Sequence, residues 1–263
     1  MFEHLLVTFR QRALLFELAR NDVRARYTGS VLGVAWAFVQ PLLTIALNLF
    51  IYRMGFRVSP PAEVPFVVWL VVGLAPWFLF VESMTLTTSA FLDYAYLVKK
   101  VRFDVSIVPT IKLAASSFVH AFVWLLVLGV AWASGFAPRL TWVLVPYYFV
   151  ALALLVSGVS FLTSTIAAFF RDMGQAVGVG LQFLFWLTPV FWSMNDAPPG
   201  YVRWLRCNPL HHVIDGLREA VLLGRGFWEH PVRTAYFWAV VILVNVLGHA
   251  LFRRARPHLS DVL

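Results

Sequence analysis

The sequence predicts an all-α integral membrane protein with six transmembrane helices, an N-terminal amphipathic interface helix, and short re-entrant or interfacial helices before the last span. Three observations carry this expectation. Six apolar runs, each nearly free of ionised side chains, occupy 31–52, 64–81, 113–138, 140–170, 173–195 and 234–252, and a hydrocarbon core about 30 Å thick needs roughly 20 apolar residues per helix. Of 263 residues, 60% are hydrophobic and only 13% charged, which leaves no room for a soluble domain. Lysine and arginine gather at the ends of the runs, not in a compact basic domain. The net charge of +8 therefore reads as membrane topology and contact with anionic lipid, not nucleic-acid binding. Lipid leaves no backbone group unsatisfied, and the ten-residue alternation of a membrane barrel is missing, so the spans are helices.

The elements follow in chain order. Between Leu5 and Phe9 the apolar residues are too few for a cleavable signal, and Arg10 and Arg12 follow, so the first span directs insertion. Within 1–29, a helical wheel sets Leu14, Leu15, Leu18, Ala19 and Val23 against Arg10, Glu17, Arg20, Asn21 and Arg24, the pattern of an interfacial helix. Its arginines serve either as a basic anchor or as a surface for a partner or an anionic headgroup. The six-span bundle occupies 31–254. Basic residues before the first span (Arg10, Arg12, Arg20, Arg24, Arg26), in the second connection (Lys99, Lys100, Arg102) and in the tail 253–263 (Arg253, Arg254, Arg256) place both termini in the cytoplasm. The loops near Arg57 and Arg139 and the segment 196–230 then lie outside. That last segment is rich in arginine (Arg203, Arg206, Arg218, Arg225, Arg233), partly offset by Asp215, Glu219 and Glu229. It opens on Pro-Pro-Gly and repeats apolar residues at Leu210, Val213, Ile214, Leu217 and Val221, a helical stripe. The connection 91–106 is short and charged. Cys207 is the one cysteine, which rules out an internal disulfide and a cysteine-based zinc cluster.

Motifs in fixed order then point to a family. Arg20, Asp22, Arg26 and Tyr27, with Gly29-Ser30-Val31-Leu32-Gly33, Trp36 and Pro41, resemble the opening of the ABC-2 type membrane subunits of exporters for lipid-linked polysaccharide (O-antigen, capsule, teichoic acid). Leu97-Val98-Lys99-Lys100 with Phe103 and Pro109, Phe170-Arg171-Asp172, Thr188-Pro189, Asn208-Pro209 with Arg218, and the tail from Phe252 extend the resemblance over nearly the whole chain. One departure is Asp104, where the family often has proline after the phenylalanine. The resemblance implies a bacterial inner-membrane half-transporter. Two copies form a channel, each docks a separate cytoplasmic ABC ATPase, and the cargo is an undecaprenyl-linked polysaccharide. The sequence has no Gly-x-x-x-x-Gly-Lys-Ser/Thr loop, hence no nest of amides and lysine to cradle nucleotide phosphates. ATP and magnesium belong to the partner, and no cofactor is expected in this chain. By the same resemblance Asp93, Tyr96, Lys99, Lys100 and Arg102 act as the ATPase-coupling segment, with Arg171 and Asp172 as a second contact or as simple topological anchors. Arg20, Arg24, Arg26 and Tyr27, at headgroup depth before the first span, are candidates for a lipid diphosphate, to which arginine offers bidentate bonds.

Ionisable groups in apolar runs are costly and so count as candidates. Glu82 and Lys112 fall in the cytoplasmic halves of neighbouring spans and are expected to pair; a proton relay would want several carboxylates in series. His120 and His249 are expected to hydrogen-bond between helices. His211 and Asp215 share a helix face with His212 adjacent, but zinc takes three or four ligands and no third is evident. Gly29 with Gly33, and Gly174 with Gly178, have the spacing of close helix packing. Among the aromatic residues, Trp36, Trp69, Trp142, Trp192 and Trp238 suit interfacial belts, while Trp77, Trp132, Tyr147, Tyr148 and Trp186 are candidates to line a channel and stack on sugar rings. Two other classes stay open: a drug or small-lipid ABC exporter, which shares this architecture, and an intramembrane transferase, for which Glu82, His211, His212 and Asp215 are too dispersed.

Overall fold

The computed structural model describes residues 10–54, 64–96, 104–190, 192–194 and 199–263. Among these the chain is all-helical: α1 Arg12–Tyr27, α2 Trp36–Met54, α3 Phe66–Thr88, α4 Ala90–Asp93, α5 Val108–Ala133, α6 Val145–Phe169, α7 Met173–Leu187, α8 Pro199–Leu205, α9 Leu210–Arg218, α10 Pro231–Ala255 and α11 Leu259–Val262. Short 3-10 turns lead into α5, α6 and α10, and one π-helical turn, Glu219–Leu223, continues α9.

Among the described residues four helical segments are long and apolar enough to cross a membrane: Phe66–Thr88, Val105–Ala133, Leu140–Phe169 and Pro231–His258. The first and fifth apolar runs give shorter helices. α7 stops at Leu187 because Pro189 crowds the residue before it, and Thr188 turns to an extended ψ of 133°. Its 15 residues span about 22 Å at 1.5 Å each. α2 carries Pro41 in its interior, and its apolar stretch is Val39–Asn48.

α3 is the centre. It is apolar on every side, and α5, α6, α7 and α9 surround it, burying Leu70, Leu74 and Leu79 completely. Lipid is as apolar as leucine, so burial alone does not drive these contacts. Interhelical hydroxyl pairs add to the packing: Ser83 with Ser116 at 2.6 Å, Thr87 with Ser160 at 2.7 Å, Thr88 with Thr163 at 3.1 Å, each worth about 0.6 kcal/mol in such settings. α6 and α10 approach most closely at Gly158 and Gly248. A Cβ on Gly248 would stand 2.4 Å from the Gly158 carbonyl oxygen, and Asn245 donates to the Leu154 carbonyl at 2.9 Å beside it. The glycines expected to pack helices do otherwise: around Gly29, Gly33, Gly174 and Gly178 a Cβ would meet nothing within 4 Å in this chain.

α1 lies against α5. Ala19 and Val23, with Leu15 and Leu18, pack on Ile107, Ile111, Ala115 and Val119, so the apolar face read from the wheel is turned to the bundle except for Leu14, which is exposed. α1 and α4 thus share one end of the bundle. α9, the π-helical turn and the start of α10 occupy the opposite end, against the beginning of α3.

Candidate functional site

A chain of alternating charges runs through the α1–α4 end. On α1, Asp22 and Arg26 stand four residues apart on the face turned inward, and Arg26 donates to Asp22 Oδ2 from Nη2 at 2.6 Å and from Nε at 3.0 Å. Asp22 Oδ1 takes Lys112 of α5 at 2.7 Å and the hydroxyl of Tyr94 at 3.3 Å. Lys112 also reaches Asp93, the last residue of α4, at 2.9 Å, and Ser89 donates to the same Asp93 oxygen at 3.0 Å. At the other side Arg26 Nη1 donates to Glu82 of α3 at 3.0 Å, and Glu82 meets His120 Nε2 of α5 at 2.8 Å. Asp93, Lys112, Asp22, Arg26, Glu82 and His120 thereby join α4, α5, α1 and α3.

Burial acts to raise the Asp22 carboxyl, but hydrogen bonds and charge from Lys112 and Arg26 outweigh it and hold the group below the usual carboxylate range. Burial, then the Asp22 charge, push the Tyr94 phenol up, so it stays a donor. Asp22 and Lys112 are nearly inaccessible, with side chains 7% and 9% exposed; removing either leaves the other with one opposite charge, Arg26 or Asp93, in place of two, a smaller loss than the roughly 3–5 kcal/mol of a fully stranded charge.

This geometry corrects one expectation. Glu82 and Lys112 do not pair with each other; each takes a partner from α1, because Asp22 and Arg26 insert between α3 and α5. His120 bonds across helices, whereas His249 Nδ1 meets the Asn245 carbonyl of its own helix at 2.8 Å.

The remaining candidates fall in several places. Arg20 and Arg24 are exposed on α1, Tyr27 is half-buried, and Arg26 is committed to the network. Tyr96 is exposed; Lys99, Lys100 and Arg102 lie outside the described residues. Asp104 caps the turn into α5 by accepting from the Ser106 amide at 3.0 Å and pairs with Arg256 at 3.1 Å, so the position where proline is common here carries a cap and a tie to the C-terminal end. Arg171 and Asp172 are exposed in the turn between α6 and α7. Of the aromatic candidates, Tyr148 is fully buried and Trp77 packs on Phe185 with centroids 5.3 Å apart, so neither presents a ring to a channel in this conformation. Tyr147 is held by Trp238 Nε1 at 3.1 Å, His212 at 3.2 Å and the Phe227 ring. Trp132 and Trp186 are two-thirds exposed.

At the opposite end, residues the sequence named only as motifs come together. Arg218 is buried and spends its guanidinium on the carbonyls of Trp69 (3.2 Å), Pro189 (2.7 Å) and Val190, on Asp215 Oδ1 (3.2 Å), and on the Trp69 ring at 3.4 Å. Asn208 donates to Thr188 at 2.8 Å. Gly73 makes room: a Cβ there would stand 2.1 Å from Arg218 Nη2. Asp215 also faces His211 at 2.7 Å. Its third neighbour is thus a guanidinium, which is no metal ligand. Nothing in the local sequence announced Arg218 as a buried cation; the carbonyls left open by the break at Thr188-Pro189 were the available signal.

Helices of membrane-crossing length around a central span, joined to α1 by buried charge, are those of a multi-pass membrane protein. The chain belongs to the ABC-2 type transporter family, whose model matches residues 13–222, a stretch that includes the charge network and the Arg218 cluster. It is similar to the O-antigen export system permease protein RfbA of Myxococcus xanthus, 31% identical over 261 residues and 96% of each chain. It is likewise similar to RfbA of Klebsiella pneumoniae, 27% identical over 251 residues and 95% of each chain. The polysialic acid transport protein KpsM of Escherichia coli is 26% identical over 255 residues, covering 92% of this chain and 93% of that one.

Proposed function

We propose that the chain is the channel-forming membrane subunit of an ATP-driven exporter that moves a lipid-linked polysaccharide across a bacterial inner membrane, with ATP hydrolysed on a separate cytoplasmic subunit. The observation that carries this reading is the end-to-end correspondence with permease and transport proteins named for O-antigen and polysialic acid. In the proposed assembly two copies face one another. α2 and α7, whose Leu43, Leu47, Phe50, Phe183 and Trp186 are exposed in the single chain, complete six crossings there, and both termini are cytoplasmic.

The charge network supplies a route for force. Motion of the ATPase against the segment that begins at Asp93 pulls on Lys112, and through Asp22 on α1, the helix that carries Arg20 and Arg24 at headgroup depth. Opening of the membrane path and engagement of the diphosphate headgroup are coupled through one buried carboxylate. Purified alone, the protein is expected to show no ATPase activity, and with its partner to run as two copies of each subunit. Tyr96→Pro is expected to abolish export with insertion intact. Normal export from that variant removes the segment from the mechanism.

A further inference from the structure

We infer that the cavity at the α9 end is a binding site for an oxyanion, either the carboxylate of an acidic sugar or the phosphate of a lipid headgroup. The cavity encloses about 910 Å³ between the start of α3, α9, the π-helical turn and the first turns of α10. Most of its carboxylate oxygens are occupied. Asp215 Oδ1 accepts from Arg218 at 3.2 Å, and Oδ2 lies 2.7 Å from His211. Glu219 Oε1 accepts from Arg233 Nη1 at 3.1 Å and faces His230 at 3.2 Å, while Oε2 accepts from Arg233 Nη2. Glu229 Oε1 accepts from the Gly226 amide at 3.2 Å.

The donors, in contrast, are in surplus. Arg225 Nε stands 3.9 Å from Glu229, beyond hydrogen-bond reach. Arg233 Nε is buried with no acceptor. Arg206, also in the wall, has no hydrogen-bond or ion-pair partner among the described residues. Among the described residues four arginines and three carboxylates line the cavity, an excess of one positive charge before either histidine is counted. A pocket with most of its carboxylate oxygens taken, and with N–H groups to spare on Arg206, Arg225 and Arg233, selects a ligand made of acceptors and carrying negative charge. The exposed ring of Tyr236 in the same wall suits the apolar face of a sugar. The acidic-sugar source rests on the export reading; the oxyanion chemistry does not.

Cys207 provides a native reporter. It is exposed and follows Arg206, and its carbonyl accepts from the Tyr236 hydroxyl at 2.6 Å. Full-length protein in phosphatidylcholine nanodiscs is labelled with a neutral maleimide in the presence of glucuronate, inorganic phosphate or glucose, with chloride at equal ionic strength as the control. Glucuronate or phosphate is expected to slow labelling, and glucose and chloride to leave it unchanged. The half-protecting concentration is expected to rise about tenfold in Arg206→Gln and in Arg225→Gln, at an unchanged thermal midpoint. Nanodiscs containing phosphatidylglycerol separate the sources: slower labelling with no added anion identifies the headgroup, and protection by glucuronate in both lipids identifies the sugar. Equal rates with all four solutes, or equal protection in wild type and both variants, overturns the inference. No step of this measurement requires transport, so its failure is distinct from failure of the export reading, which the Tyr96→Pro assay reads.

Discussion

At the scale of single residues the chain concentrates its cost in a few buried charges. Asp22 sits between two cations; in Asp22→Asn, Arg26 keeps Glu82 and Lys112 keeps Asp93, so the loss is expected to fall below the roughly 3–5 kcal/mol of a fully stranded buried charge. Lys112→Met costs a similar amount. The double variant is expected to cost less than the sum of the two, which a double-mutant cycle of unfolding in detergent reads directly. The pH dependence has a definite sign. Because the folded-state pKa of Asp22 is depressed, its contribution is complete above the ordinary carboxylate value of 3.8 and disappears as pH falls through the lower folded value. Spin labels on the exposed Phe16 and Phe118 are expected to keep one separation between pH 7 and pH 5 and to lose it only in strong acid. Arg26 and its neighbours divide the same way. Lysine at Arg26 loses the fork that joins Asp22 to Glu82 and loosens α1, whereas lysine at the exposed Arg20 or Arg24 leaves the fold intact. Substrate-stimulated ATP hydrolysis is the readout for their proposed headgroup role.

At the scale of helices, Gly158 and Gly248 set the α6–α10 contact. Gly248→Ala pushes a methyl group into a backbone carbonyl, so the helices must separate, at a cost of about 1–3 kcal/mol; Gly178→Ala meets nothing within its own chain and is expected to leave the thermal midpoint of the single chain unchanged. The sequence showed where the helices run because hydropathy needs no tertiary information. The four long spans, the helical stripe of α9 and the inward face of α1 all follow from residue periods. It did not show which glycines pack, since Gly158 and Gly248 lie ninety positions apart and meet only when α6 and α10 lie side by side. It also could not pair Glu82 with Arg26, or Lys112 with Asp22. Charge positions along a chain say that partners exist, and only the crossing of helices says which. Tyr147 and Tyr148 illustrate the same gap, since an aromatic residue in a span suits a channel wall and a packed cluster equally until its neighbours are known.

At the scale of the whole molecule the proposed topology puts α9 and Cys207 outside and α1 and the Arg171 turn in the cytoplasm. An impermeant maleimide is expected to label wild-type protein in spheroplasts through Cys207, and to leave Arg171→Cys in a Cys207→Ser background unlabelled until the membrane is opened; labelling of Arg171→Cys with Cys207 protected reverses the orientation. The Arg218 cluster bears on biogenesis. The carbonyls of Pro189 and Val190 emerge from the ribosome nearly thirty residues before the guanidinium that receives them, and lipid has no donor to lend in the interval. The segment after α7 therefore has to wait in a wet environment, within the insertion machinery or at the membrane surface, until α9 arrives and turns in against α3. A nascent chain released before Arg218 lacks both this closure and the span Pro231–His258, and is expected to be degraded faster than the full-length protein in a pulse-chase. In this chain a single late cation sets the moment at which insertion becomes folding.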